Sequence, residues 1–289
     1  SDLRNIDLKT ILGKSTVMLA GAVNPQTIDL KISTQNFRGS DIPAAVSDAL
    51  SNIRLNGDVT MTGASVSPVT TAKISLNGLN TGAYKNLNIT ANLNHQDHKV
   101  ALSILGKGAG IKTLTANANF PLGFGLWPFA FDLDMDAPLS GEIVGDLDLG
   151  TISRLFLPPT QKFSANLKAN GTITGILGAP DAKGTATLRN GQFTDDQRGI
   201  ELRAMNINSS FTNHSVIFQS MNATDGEKGV MKGNGHIDFS GDQNTDLSLS
   251  LHKFHLPKSN LADGVMDANF SLANANDGYA LNGSIDIKS

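Results

Sequence analysis

The stretch that decides the fold is "KANGTITGILGAPDAKGTATLRNGQF", residues 168–193. Its non-polar residues fall on alternate positions, which is the period of a β-strand, because successive side chains of a strand point to opposite faces. Many of these positions hold only alanine or glycine. Small inward residues leave space above a sheet, and space lined by apolar groups holds apolar matter rather than water. The stretch therefore predicts strands with one non-polar face that is not filled by a dense core.

The same alternation continues along most of the chain. Clear examples are residues 27–33, 72–78, 87–93, 100–104, 131–135, 235–241, 245–251, 266–272 and 279–287. About twenty short strands bounded by turn residues predict an all-β protein built from hairpins. Two short helices cannot cover so large a sheet, so we expect a long, curled, antiparallel-rich sheet, a β-taco or groove with an apolar interior. A packed sandwich, in which the small residues let two sheets approach closely, stays open as the alternative.

Two segments have helical spacing instead. "SDIPAAVSDALSN" (40–52) has apolar residues three and four apart and a proline in its first turn, which predicts a short amphipathic helix near 41–52. "GTISRLFLPP" (150–159) predicts another near 150–157, ended by its two prolines. Similar strand pairs follow both segments, with a period of about a hundred residues. We therefore expect two repeats, residues 1–136 and 137–289, in one continuous elongated unit.

Composition excludes several classes of protein. The net charge of -3 provides no basic field for a nucleic acid. The absence of cysteine excludes disulfides and thiolate sites. No apolar run reaches the roughly 20 residues of a membrane-spanning helix, and the N-terminal residues do not have the pattern of an export signal. We therefore expect a soluble piece of chain without its own anchor.

Four apparent motifs have the wrong spacing or setting for their chemistry. "GKGAGIKT" (106–113) resembles a phosphate-binding loop but is followed by an alternating strand instead of a helix. "HQDH" (95–98) and "HKFH" (252–255) place histidines on opposite faces of a strand, so we expect surface histidines rather than metal ligands. "DLDMD" (132–136) fits the solvated face of a strand better than a calcium loop. With no nucleophile motif either, we expect no enzyme, cofactor, nucleotide or metal.

Residues 163–211 carry a resemblance to a known family. A strand ends in Gly171, a "GILGAP" turn spans Gly175 to Pro180, and the strand "GTATLRNGQF" follows from Gly184. The next stretch, "NATDGEKGVMKGNGHIDFSG" (222–241), continues the pattern with spaced glycines before an alternating strand. Over about residues 137–289 the chain resembles the TamB-like translocation and assembly proteins of the AsmA-like superfamily.

The resemblance implies a periplasmic protein of Gram-negative bacteria. Members of this family are anchored in the inner membrane by an N-terminal helix and reach an Omp85-type barrel partner in the outer membrane. Their sheet is similar to a folded taco with an apolar groove, and the implied role is the movement of phospholipids between the two membranes. An older family role is the assembly of outer-membrane proteins. The chain has neither the anchor nor an obvious barrel-docking end, so we expect an internal fragment.

Two functions follow as expectations. In the first, the chain is a lipid conduit that binds phospholipid acyl chains along the groove. The side chains expected to line it are Leu167, Ile173, Leu188, Ile200, Leu202, Ile237, Phe239, Leu247, Leu249, Leu251, Phe270 and Leu272. In the second, the chain is a chaperone or assembly module whose exposed strand edge pairs with a client, and "TDLSLSL" (245–251) is the candidate edge.

The segment "FPLGFGLWPFAF" (120–131) fits neither function clearly. It is too short to span a bilayer. A groove wall, a buried hairpin and a membrane-touching loop around Trp127 all stay open.

Overall fold

Alternating side chains do form strands in the computed structural model, which describes residues 4–12, 15–38, 54–81, 84–155, 157–240, 245–255, 264–275 and 278–288. Strand β17 (Asp246–His255) is representative, because Leu247, Leu249 and Leu251 are half-buried while Ser248 and Ser250 are exposed. The prediction of an all-β protein is confirmed. The curled groove is a finer prediction, which the strand pairings alone do not test.

Nineteen strands lie in the described residues. In chain order they are β1 (Arg4–Leu12), β2 (Ser15–Val23), β3 (Thr27–Arg38), β4 (Arg54–Ala64), β5 (Val69–Thr81), β6 (Tyr84–Gln96), β7 (Lys99–Gly108), β8 (Ile111–Pro121), β9 (Gly123–Leu126), β10 (Phe129–Asp132), β11 (Ser140–Asp148), β12 (Gln161–Ile176), β13 (Ala179–Asp195), β14 (Ile200–Thr212), β15 (Ser215–Thr224), β16 (Val230–Asp238), β17 (Asp246–His255), β18 (Val265–Ala275) and β19 (Gly278–Lys288).

The described residues fall into two compact units. Unit 1 comprises those of Ser1–Val144 and Thr172–Asp181, and unit 2 comprises those of Gly145–Gly171 and Ala182–Ser289. In unit 1, strands β1 to β8 each pair antiparallel with the next strand of the chain. In unit 2, strands β13 to β19 do the same. The strands of each unit therefore form a meander of consecutive hairpins. The predicted repeat of residues 1–136 and 137–289 concerns sequence similarity and stays a prediction.

β-Bulges interrupt the alternation in unit 2. Asn190 has a φ of 54° between Leu188, which lies opposite Ile207, and Gly191, which lies opposite Met205. Since Ile207 and Met205 are two positions apart on β14, Leu188 and Gly191 point to the same face although they are three positions apart on β13. The bulge thus keeps non-polar residues on one face where a strict period of two would have reversed it.

Few large side chains are fully buried. Among the described residues, the buried hydrophobic ones are Ile28, Val100, Ala137, Ala165, Ala223, Phe254 and Ala268. A dry sandwich core would bury leucines such as Leu247 and Leu249 completely, yet both are only half-buried. The exposure pattern therefore disfavours the packed-sandwich alternative.

A short helix occurs close to one of the two predicted positions. Helix α1 (Leu149–Ile152) is capped by Asp148, whose side chain accepts a hydrogen bond from the Gly150 N–H at 2.9 Å, and a 3-10 turn (Ser153–Leu155) follows. The predicted range of 150–157 was slightly too long. The helix predicted near 41–52 lies outside the described residues.

In the described part of the chain, no helix combines the length and the apolar character that crossing a membrane requires.

Candidate functional site

A row of mainly apolar residues crosses the whole sheet of unit 2. Each member lies directly opposite the next one on the neighbouring strand, so all of them point to the same face. In strand order from β13 to β19, the row is Leu188, Ile207, Met221, Gly233, Leu249, Phe270 and Gly283. We call this the central row. It forms a continuous non-polar band seven strands wide.

Two parallel rows widen this band. On one side Leu247 lies opposite Leu272, which lies opposite Leu281. On the other side Leu251 lies opposite Ala268, which is fully buried. Because these positions are two residues from the central row along their strands, they share its face. We call the face that carries these rows the apolar face of unit 2.

The structure brings most of the predicted lining residues together. Nine of the twelve lie on the apolar face: Leu188, Ile200, Leu202, Ile237, Leu247, Leu249, Leu251, Phe270 and Leu272. Of the other three, Leu167 is a half-buried residue of β12 in unit 2, and Ile173 belongs to the part of β12 in unit 1. Phe239 follows the end of β16 and is 64% exposed. Sequence periodicity thus identified the apolar face but not its limits.

Small residues do not leave open space at several positions of this face. A Cβ atom on Gly184 would overlap the Asn170 carbonyl oxygen and would lie 2.6 Å from Cζ of Phe211. A Cβ atom on Gly233 would lie 2.8 Å from both Cε of Met221 and the Ser248 carbonyl oxygen. The backbone and the large side chains of neighbouring strands therefore fill the space beside these glycines. The expectation that these glycines leave a void is wrong. On the apolar face, large side chains lie over the glycines of neighbouring strands, so the surface is even.

A concavity of about 620 Å³ lies along strands β15 to β19. Its lining includes five residues of the central row, namely Met221, Gly233, Leu249, Phe270 and Gly283. Polar residues on both sides of that row also line it: Asn222, Lys232, Asn234, Ser248, Ser250, Asn269, Ser271, Asn282 and Ser284. The concavity therefore follows the central row. Sequence alternation alone did not predict it.

Charged contacts lie away from the central row. The Asp225 carboxylate accepts a hydrogen bond from Nδ1 of His255 at 2.6 Å and others from the backbone N–H groups of Glu227 and Gly229. Burial raises the pKa of Asp225, but these hydrogen bonds and one from the His255 N–H outweigh it and lower the pKa to about 2. The carboxylate is therefore ionised at neutral pH and fixes the turn between β15 and β16.

Two further aspartates make hydrogen bonds near the ends of other strands. Hydrogen bonds from the side chains of Arg198 and Gln161 lower the pKa of Asp195 to about 2, and a hydrogen bond from Lys288 does the same for Asp267. Asp195 is the last residue of β13, and Lys288 is the last residue of β19. The ionic groups thus anchor strand ends and leave the middle of the apolar face uncharged.

The histidine pairs behave differently from each other. His98 is exposed in a turn, as expected, but His95 is only 1% exposed. Its ring nitrogens lie 3.2 Å from the Pro68 carbonyl oxygen and 3.0 Å from that of Leu122. The prediction of a surface position is therefore wrong for His95, which joins loops inside unit 1. His252 and His255 contact Asp267 and Asp225 respectively, and the described residues contain no group of side chains suited to hold a metal ion.

The other candidate motifs also have structural roles. Residues 106–113 form the end of β7, a turn at Ala109–Gly110 and the start of β8, so the strand expected after this motif is confirmed. Asp132 ends β10, but Asp134 and Asp136 lie in the turn that follows. The Asp136 N–H donates to the Asp134 carboxylate at 2.9 Å. The expectation that these aspartates share one face of a strand is therefore wrong.

Comparison with protein-family models, with curated proteins and with solved structures found no match to this chain. The resemblance to the TamB-like proteins stays a prediction from the sequence.

Proposed function

We propose that this chain is part of a lipid conduit, with the apolar face of unit 2 as the surface along which phospholipid acyl chains move. The observation that carries the proposal is the central row, a non-polar band seven strands wide whose leucines are half-buried instead of sealed in a core. A protein that only needed stability would gain more by burying these side chains completely. Half-buried leucines that lie opposite one another across the strands suit a hydrocarbon ligand that binds reversibly.

Hydrocarbon chains gain free energy from such a surface. Each methylene removed from water contributes about 0.8 kcal/mol, so even partial contact of an acyl chain with several strands is favourable. Large side chains cover glycines of this face, which favours sliding of acyl chains over tight capture. The charged groups lie at strand ends and turns, away from the middle of the apolar face. We therefore expect little selectivity among head groups.

The location and the partners of this conduit follow from the family resemblance. We place it in the periplasm of a Gram-negative bacterium, as part of a longer protein anchored in the inner membrane. An Omp85-type barrel would receive it at the outer membrane. The role needs no cofactor, nucleotide or catalytic residue from this chain, because acyl chains partition onto the surface without a chemical step.

A second candidate function is assembly of outer-membrane proteins by β-augmentation. The strand expected to offer an edge, residues 245–251, is wrong for that role, because β17 pairs with β16 on one side and with β18 on the other. Within the described residues of unit 2, β19 pairs with β18 alone, and it exposes Leu281, Ile285 and Ile287. The observation that favours this function is therefore the exposure of β19.

Native mass spectrometry of the chain purified from a Gram-negative host tests the lipid proposal. We expect peaks displaced by the mass of one or more phospholipids, of several head-group types. A chain that carries no lipid, but that binds an extended outer-membrane-protein peptide, would contradict the conduit and support β-augmentation.

A further inference from the structure

The hairpin of β9 and β10 exposes an unusual amount of aromatic surface. Trp127 in its turn is 57% exposed, Phe129 is 74% exposed and Phe131 is 61% exposed. Val66 belongs to the loop beneath the hairpin and is 60% exposed. Isolated exposed apolar residues are ordinary, but several large ones on one short hairpin mark an interaction site. The alternative of a buried hairpin, left open by the sequence, is wrong.

The hairpin is firmly attached to unit 1. The N–H groups of Leu126 and Trp127 donate to the Ser65 carbonyl oxygen at 2.8 and 3.2 Å. Ser65 is itself fully buried, and its hydroxyl donates to the Asn24 carbonyl oxygen at 2.7 Å. The ring of Phe124 meets the buried His95 ring edge to face, with 6.1 Å between centroids. The exposed aromatic residues are thus held on a fixed support.

The charged side chains of the hairpin and of the turn after it are carboxylates, whereas Lys99 lies opposite Pro121 of β8, just before the hairpin begins. No lysine or arginine occurs from residue 113 to residue 153. The register places Trp127 at the tip of the hairpin and Asp132, opposite Gly123, at its base. Asp134 and Asp136 follow in the exposed turn beyond the base. The apolar tip of the hairpin can contact hydrocarbon while the carboxylates at its base contact ammonium groups. This arrangement fits a layered surface whose interior is hydrocarbon and whose exterior carries ammonium groups.

We infer that this hairpin docks onto the surface of a zwitterionic phospholipid bilayer. Trp127, Phe129 and Phe131 enter the boundary between head groups and acyl chains, which is the depth that tryptophan and other aromatic residues prefer. The carboxylates at the base then lie near the ammonium groups of choline or ethanolamine head groups. Anionic lipids repel the same carboxylates. The lipid preference of this hairpin is therefore opposite to that of a polybasic membrane-binding segment. The inference does not depend on lipid transport by unit 2.

Trp127 is the only tryptophan of the chain, so its fluorescence reports on this hairpin alone. Vesicles of phosphatidylcholine should shift its emission to shorter wavelength, and brominated acyl chains should quench it. Vesicles rich in phosphatidylglycerol should bind more weakly at low salt and regain binding as salt screens the carboxylates. No shift with any vesicle, or tighter binding to the anionic vesicles at low salt, would overturn the inference.

Two double variants locate the docking surface. Phe129→Ser with Phe131→Ser should lower vesicle binding at least about tenfold, since two aromatic rings no longer leave water. Leu8→Ser with Ile11→Ser removes comparably exposed side chains from β1 and should leave binding unchanged. Circular dichroism should show both double variants to be folded, and Trp127→Ser in a sedimentation assay provides a second variant if the phenylalanine pair misfolds. Equal loss in the hairpin and β1 variants, or no loss in the hairpin variants, would contradict the assignment.

Discussion

Leu249 of β17 lies directly opposite Phe270 of β18, and each leans over a glycine on its other side. Cδ1 of Leu249 lies 3.1 Å from the position a Cβ atom would take on Gly233, and Cδ1 of Phe270 lies 2.6 Å from that position on Gly283. Along the central row, each of these large side chains therefore covers a glycine on the neighbouring strand. This pairing makes the surface of the apolar face even.

A methyl group added at one covered glycine should destabilise unit 2. We expect Gly184→Ala to lower the free energy of unfolding by about 1–3 kcal/mol, because its new Cβ would overlap the Phe211 ring and the Gly171 backbone. Urea unfolding followed by circular dichroism measures this. Gly106→Ala is the matched control, since its Cβ would lie 3.5 Å from the nearest atom, a carbon of Leu114. Equal destabilisation by both changes would show that the overlap is not the cause.

Removal of the buried imidazole in unit 1 should also be costly. His95→Phe keeps an aromatic ring but removes the ring nitrogens that lie 3.2 Å from the Pro68 carbonyl oxygen and 3.0 Å from that of Leu122. We expect a loss of about 1–3 kcal/mol in the free energy of unfolding, measured by urea titration. His98→Asn, in the exposed turn nearby, should change it by less than about 0.5 kcal/mol. An unchanged free energy of unfolding in His95→Phe would mean that the ring nitrogens of His95 do not contribute to stability.

Acid should destabilise the protein in a defined window. The pKa values of Asp195, Asp225 and Asp267 are about 2, below their ordinary value of 3.8. A carboxylate with a lowered pKa in the folded state contributes stability above its unfolded pKa and loses it as the pH falls through the folded pKa. The free energy of unfolding should therefore fall between about pH 4 and pH 2, measured by urea unfolding at each pH.

One substitution isolates the part of this effect that belongs to Asp225. Asp225→Asn should be less stable than the natural chain at pH 7, and the difference should shrink as the pH approaches 2. Asp29→Asn, on the exposed side of β3, is the control and should change the free energy of unfolding at pH 7 by less than about 0.5 kcal/mol. A difference for Asp225→Asn that is constant with pH would exclude a role for its charge.

The sequence predicted the strands well because their signal is local. Alternation in β17, for example, depends only on neighbouring residues of one strand, and the structure buries and exposes them in turn. Bulges are harder to see. Lys253 has a φ of 49° at a register shift between Leu251 and Phe254, so Phe254 returns to the apolar face and is fully buried. A strict period of two counted from Leu251 would put Phe254 on the other face.

Contacts between strands explain the remaining errors. Whether Gly184 leaves a void depends on Phe211, which is distant in the sequence and becomes its partner only through the β13–β14 register. His95 is buried because two loops, at Pro68 and Leu122, close over it. Neither relationship has a local pattern. Nine of the twelve predicted lining residues share the apolar face, their role in binding lipid stays a prediction, and the void expected at Gly184 is filled.

Two neighbouring residues of β17 provide the most direct measurement of the central claim. Leu249 lies on the apolar face and Ser248 on the opposite face. Leu249→Arg would place a charge among acyl chains at a cost of several kcal/mol, whereas Ser248→Arg would extend into water. We predict that Leu249→Arg abolishes photocrosslinking to phospholipid while Ser248→Arg preserves it, with both variants folded by circular dichroism. Unfolding of Leu249→Arg would indicate a packed core, and equal crosslinking in both variants would contradict the assignment of acyl chains to the apolar face.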